Sequence, residues 1–399
     1  MPFEIPESWV LSDFSELVTL LSGRDLESND CNSNREGIPY LIGASNIVDG
    51  KINITRWTTR PLVISKRGDI LISCKGTIGE VVTNVIGEIH IARQFMAIQT
   101  LPMVYADYIE LYIKSIVNNI KRNARGVIPG ISREDILQRE IALPPLEEQK
   151  RIVIEVEKWL DYIADIEAEK NELESHIKKA KSTILDLAIS GKLLPQDSND
   201  EPAIELLKRI NPGFKPCDNS HYENLPENWC LAKVKDVFVI NPRNKAEDNT
   251  IAGFIPMTLI DDGYSNTFSY EKRKWGAIKT GFTHFADGDV AVAKISPCLE
   301  NRKSIVLRDL PNGIGAGTTE LHVFRSSVVS PEYALYFFKS EYFISRCVGT
   351  FNGVVGQQRV GKNIIEEIRI PIPPINEQTK IVSKIKTLFS QLSTITAEL

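Results

Sequence analysis

Six cysteines, Cys31, Cys74, Cys217, Cys230, Cys298 and Cys347, carry the most reactive side chains of the sequence, and their spacing decides what they could do. No two stand as CxxC, so they form neither a zinc pattern nor a disulfide framework, and they are expected as reduced, mostly buried thiols. The five histidines are equally scattered, with no HExxH and no other metal-ligand spacing, and are expected in structural roles. A phosphate loop of the GxxxxGK[ST] kind is absent, as is a GxSxG elbow. The glycine cluster GIGAGT at 313–318 lacks the third glycine of a dinucleotide fingerprint and reads as a turn. Asp69 and Asp289 each follow a glycine just before an apolar run, where a turn residue is expected before a metal ligand. These patterns predict no catalytic residues, no metal and no cofactor.

One further stretch, NPRN at 241–244, begins like the Asn-Pro-Pro-aromatic loop with which adenine methyltransferases grip a flipped base. The second proline and the aromatic are missing, so that chemistry is not expected either. At 399 residues and 42% hydrophobic content the chain is too long for one ordinary core and suits two or three domains. No run of 18 apolar residues occurs, and MPFEIPESWV has neither the basic nor the apolar region of a secretory signal, so a cytoplasmic location is expected. The net charge of -5 is unevenly spread: residues 1–143 hold 15 Lys and Arg against 17 Asp and Glu, and residues 225–370 hold 18 against 16. Acid gathers on 144–224, leaving the large segments near neutral, which permits nucleic-acid contact without pointing to it.

The elements that would position any site repeat. IPESW at 5–9 matches LPENW at 225–229, GDILISCKGTIGE at 68–80 lies over GDVAVAKISPCLE at 288–300, and YADYIELYIKS at 105–115 lies over SPEYALYFFKS at 330–340. LPPLEEQKRIV at 143–153 returns as IPPINEQTKIV at 372–382. The offset grows from 220 to 229, as small loop insertions would cause, so one unit is duplicated over about 5–190 and 225–399. Within each, short runs of Val, Ile and aromatics punctuated by Gly, Asn and Asp read as strands and turns. A helix follows, with Ser330 and Pro331 as cap and first residue in the second copy and Asp107 as cap in the first. Then comes a glycine-bearing loop, ARGVIPGIS at 124–132 or FNGVVGQQRV at 351–360.

Two prolines then stop a strand, and Glu147 and Glu148 favour the start of a helix. From there Ile152, Val156, Trp159, Ile163, Ile166, Lys170, Leu173, Ile177, Ala180, Ile184 and Leu187 follow at spacings of four and three, ten of the eleven apolar. That is a coiled-coil seam of about five heptads. Ile381, Ile385, Leu388, Leu392, Ile395 and Leu399 keep the same phase in the second copy, so the two seams are natural partners. Residues 195–224, rich in Pro, Asn and Asp, read as a linker with one short helix near Ala203 to Ile210.

The repeated PPxxEQ turn, the PESW and PENW unit starts and a helix ending in ISGKLLPQ closely resemble the specificity subunit of type I restriction-modification systems, over essentially the whole chain. The resemblance implies an α+β fold: two repeated mixed α/β target-recognition domains joined by two long antiparallel coiled-coil helices. It places the first recognition domain at 1–143, the central helix at 144–194, the linker at 195–224, the second recognition domain at 225–371 and the last helix at 372–399. It further implies that each domain reads one half of a split double-stranded DNA target, that the subunit itself catalyses nothing, and that two methyltransferase subunits dock on it and endonuclease/translocase subunits join. The second helix, shorter than the first, leaves open whether the two docking places are equivalent.

Direct readout needs Arg or Lys for guanine and Asn or Gln for adenine, with small residues beside them. On that basis the candidates in the first unit are Lys75, Gly76, Thr77, Arg93, Gln94, Arg125 and Ser132. In the second they are Lys294, Arg302, Lys303, Thr319, Gln357, Gln358 and Arg359. Two other readings remain open at this level. A coiled-coil adaptor that binds proteins and not DNA would account for the helices, and a fused restriction-methylation enzyme would account for the recognition domains but needs a methyltransferase domain this sequence lacks.

Overall fold

The computed structural model describes residues 4–123, 130–217, 225–350 and 358–397. Candidates Arg125, Gln357 and Leu399 lie outside the described residues. The chain divides into two units, residues 1–167 and 168–399, and the division falls inside the 44-residue helix Leu146–Ile189.

Both units are built on one plan. In the first, Val10–Asp13 pairs antiparallel with Glu140–Leu143; in the second, Cys230–Lys233 pairs with Arg369–Ile372, so each time the opening strand is clamped to the closing one. Inside the first unit an antiparallel sheet runs Val18–Ser22, Phe95–Thr100, Ile70–Ser73, Val81–Thr83, and the second unit repeats it as Val239–Ile240, Leu321–Arg325, Val290–Ala293, Ser304–Val306. A further sheet runs Arg56–Thr58, Ile38–Leu41, Ile89–Ile91, Ile64–Ser65, with one parallel pair at its centre. Its counterpart, Glu271–Lys274, Ile251–Ile255, Ile314–Gly317, Thr283–Ala286, keeps that order and that parallel pair.

The strands inside GDILIS and GDVAVA are fully buried because they lie between two layers. Successive side chains of a strand point to opposite faces. Ile70 and Ile72 accordingly pack under the helix Ala106–Asn123, with Ile109, Ile113 and Val117, while Leu71 packs on the other side against Leu41, Ile89 and Ile91. Val290 and Val292 against Ala291 divide in the same way. Asp69 and Asp289 prove to be turn residues: their carboxylates accept the Lys66 and Ala286 backbone N–H at 2.8 and 2.7 Å. Asp107 sits within the first turn of its helix, which starts at Ala106, whereas Ser330 caps its helix as expected, its hydroxyl accepting the Tyr333 N–H. GIGAGT is largely strand, not turn. Its glycines make room for neighbours, since a Cβ at Gly315 would come within 2.3 Å of the Phe285 ring and one at Gly317 within 2.4 Å of the Ile255 carbonyl.

The repeated turn has a physical cause. Gln149 accepts the Tyr105 N–H at 2.8 Å and donates to the Pro144 carbonyl at 2.9 Å. Gln378 accepts the Ser330 N–H at 2.7 Å and donates to the Pro373 and Val328 carbonyls. Each buried glutamine therefore ties the start of the post-strand helix to the preceding strand exit and to the segment before the earlier helix. Tyr108 and Tyr333 add the same bond twice, donating to the Ala142 and Pro371 carbonyls.

The seam expectation needs correction over half its length. The helix Ile375–Ala397 packs antiparallel on the later part of Leu146–Ile189: Lys181 Nζ donates to Ser393 Oγ, while Glu377 at the other end meets Gln196. Ile177, Ile381 and Ile385 are buried there, and Ile184, Leu388 and Leu392 partly so, but Leu187 and Ile395 are exposed. In the first unit Trp159, Ile163 and Ile166 are more than half or about half exposed, at 57%, 50% and 65%, and only Ile152 and Val156 are partly covered. The helix Ile375–Ala397 has 23 described residues against 44 in Leu146–Ile189. The 195–224 stretch is likewise more than a linker. Its helix, Ala203–Ile210, places Ala203 and Leu207 in the core of the second unit beside Trp229.

Candidate functional site

At one end of each central strand, three loops are stitched together by backbone hydrogen bonds. In the first unit Cys74 N–H donates to the Gln94 carbonyl at 2.7 Å, Ile131 N–H donates to the Cys74 carbonyl at 3.0 Å, and Lys75 bridges to Gly130. In the second, Lys294 N–H donates to the Glu320 carbonyl at 2.9 Å, Val360 N–H donates to the Lys294 carbonyl at 3.0 Å, and Ile295 bridges to Arg359. The strands leading in have matching registers, Ile72 opposite Met96 and Val292 opposite His322. Position by position, then, Cys74 answers to Lys294, Lys75 to Ile295, Gln94 to Glu320, and Gly130 to Arg359.

Lys75, Gly76, Thr77, Gln94 and Ser132 come together in the first cluster, and Lys294, Thr319, Gln358 and Arg359 in the second. Gly76 turns the chain with φ +76°, a region that favours glycine. Gln94 lies over the gap left by two glycines: a Cβ at Gly43 would stand 2.7 Å from its Oε1, and one at Gly76 3.5 Å. Ser132 spends its hydroxyl capping the helix Arg133–Leu137, bonded to Asp135 N–H at 3.2 Å. Arg93 reaches sideways to Asp25, at 2.7 Å. Arg359 grips Glu320 through two nitrogens at 2.8 and 3.0 Å, and that guanidinium holds the Glu320 carboxyl below its ordinary range.

Two candidates fall elsewhere. Arg302 is buried, donating to the Lys339 carbonyl and pairing with Glu341 at 2.8 Å, and Lys303 Nζ donates to the Ile260 carbonyl at 2.7 Å. Both cations satisfy internal acceptors. Sequence reasoning also missed Glu320. The offset between copies drifts from 220 at the first strand to 226 at the next, and following that drift would have aligned Glu320 with Gln94. Among the described residues no cluster of His, Cys, Asp and Glu could hold a metal ion, and no helix is long and apolar enough to cross a membrane.

The sequence matches the family described as "Type I restriction modification DNA specificity domain" over residues 6–175 and 226–399. The chain belongs to this family. Similar proteins include the type I restriction enzyme EcoEI and EcoAI specificity subunits of Escherichia coli, 40% identical over 238 residues and 41% over 233. Each alignment covers 54% of this chain and 40% of the relative, so the chain spans less than half the length of these relatives. Similarity to the EcoKI specificity subunit of Escherichia coli strain K12 is weaker, 22% identity, but covers 98% of this chain and 84% of that one. The fold is that of the HsdS subunit from Thermoanaerobacter tengcongensis, with a TM-score of 0.57 at 16% identity over 100% of this chain and 93% of that one. A chain from a structure of type I R-M complex assembly and conformational transition is also similar, with a TM-score of 0.69 at 16% identity over 100% of this chain and 94% of that one.

Proposed function

We propose that this chain is the DNA sequence-specificity subunit of a type I restriction-modification complex, each unit reading one half of a bipartite double-stranded target. The observation that carries the proposal is the strand-by-strand repetition of one scaffold whose converging loops hold different side chains, Gln94 in one and Glu320 with Arg359 in the other. A repeated frame with unlike reading residues suits a target of two unlike halves, and the helices between and after the units suit a spacer of fixed length. The subunit supplies no catalysis or cofactor of its own in this account. Methyltransferase subunits, two of them, dock on the helices and modify the DNA, and endonuclease/translocase subunits join them. Near-neutral units fit a division of labour in which those partners make many of the phosphate contacts.

The test is to map N6-methyladenine across the genome of cells that express the methyltransferase with and without this chain. A split motif methylated only when the chain is present is expected. An identical methylation pattern in both would overturn the proposal, and in that case the coiled-coil adaptor is the better account.

A further inference from the structure

Resting on that DNA-reading role, we infer that Gln94 and Glu320, one position in the two repeats, are where each unit selects a base, and that the exchange of amide for carboxylate makes the two half-sites differ there. Four observations converge on the position. It closes the central strand pair at the loop junction in both units, its carbonyl accepting the Cys74 or the Lys294 N–H. Its side chain stands clear of the core, being only partly buried in each copy while the next residues, Phe95 and Leu321, are 0% and 1% exposed. The scaffold around it is kept while its side chain changes from amide to carboxylate. Finally, glycines at 43 and 76 make room for the Gln94 side chain, which a Cβ at Gly43 would meet at 2.7 Å, and no hydrogen bond of its side-chain amide is found among the described residues.

The chemistry of each copy names a base pair. A glutamine amide carries one acceptor and two donors and matches the N6 donor and N7 acceptor of adenine. Glu320 is acceptor-only and kept ionised by Arg359, which takes up two of the roughly four hydrogen bonds a carboxylate accepts. The remaining lone pairs suit the N4 amino group of cytosine. The first unit thus selects an A·T pair at this position and the second a G·C pair.

The exchange variants Gln94→Glu and Glu320→Gln are near-isosteric and keep the backbone bonds that Cys74 and Lys294 make to this position, so they separate base choice from folding. Each would be expressed with the methyltransferase and N6-methyladenine mapped genome-wide. If the unmodified chain yields no split motif, the function itself fails and not this assignment. With the motif present, each exchange is expected to shift preference at one base pair of one half-site by about ten- to a hundredfold, in opposite halves, with the spacer unchanged. Gln94→Ala and Glu320→Ala are expected to make the same positions degenerate. An unchanged motif in both exchange variants would overturn the inference. If an exchange abolishes methylation, the purified complex would be used to select duplexes from a pool randomised across that half-site. A new preferred base pair at one position supports the assignment, and loss of selectivity over the whole half-site, or no binding, overturns it.

Discussion

His322 joins the second unit's central sheet to the segment at Val360. Its Nε2 donates to the Val360 carbonyl at 3.2 Å, and its Nδ1 accepts from Asn241 Nδ2 at 3.3 Å. Asn241 is fixed in that orientation because its Oδ1 accepts the Val323 N–H at 2.9 Å, which is the role NPRN plays here. Both ring nitrogens are satisfied in the neutral tautomer, and burial, aided by Lys294 and Lys362, pushes the pKa down to about 4. Since the folded value lies below the unfolded one, the unfolded chain binds more protons between pH 6.5 and 4, and this contribution to stability is present above that window and lost as pH falls through it. The loss is at most about 3 kcal/mol. The first repeat carries Met96 at this place, opposite Ile72 as His322 is opposite Val292. His322→Met is therefore expected to make melting less acid-sensitive between pH 7 and 4.5, and an unaltered difference in Tm would contradict it. The two turn glutamines give a second prediction. Gln149→Ala and Gln378→Ala each strand buried backbone groups and should cost about 1–3 kcal/mol, whereas Glu147→Ala, at an exposed first-turn site, should leave denaturant midpoints within error.

Among the elements, the helix pair was only half legible. The seam residues follow one heptad phase from Ile152 to Leu187, and phase says that a helix has an apolar stripe but not how far a partner covers it. Where Ile375–Ala397 lies against it, Ile385 is 0% exposed, and Ile385→Ala should cost about 2–5 kcal/mol. Trp159, at 57% exposed, should tolerate serine within about 0.5 kcal/mol in the isolated chain. Equal losses of stability for the two in urea titrations would mean the seam is covered along its full length. Other features were plain from residue types. The PPxxEQ turns, the short helix Ala203–Ile210 and the strand runs at GDILIS and GDVAVA all rest on local chemistry, the pattern of proline, acid and alternating burial. Glycine roles and cation assignments were not, because GIGAGT and Arg302 depend on neighbours distant in the chain, Phe285 for the one and Glu341 for the other.

At the scale of the whole molecule, the claim is that two units of one plan read two half-sites and that helix length sets the spacer. The helix Leu146–Ile189 is continuous through the boundary between units, and Lys170 lies before its packed part begins at Leu173 to Ile177. Seven residues inserted after Lys170 add about 10 Å and nearly two whole turns, so they keep the rotational phase; five add a turn and a fraction and change it. The longer insertion is expected to lengthen the unspecified spacer by about three base pairs with both half-sites kept, and the shorter to abolish methylation; long-read methylation mapping distinguishes them. The most direct measurement is to replace residues 5–143 with the corresponding segment of a relative of different specificity and map N6-methyladenine in cells that also express the methyltransferase. The account predicts a motif with one half changed and the other half and the spacer retained. A motif altered in both halves, or in neither, would contradict it.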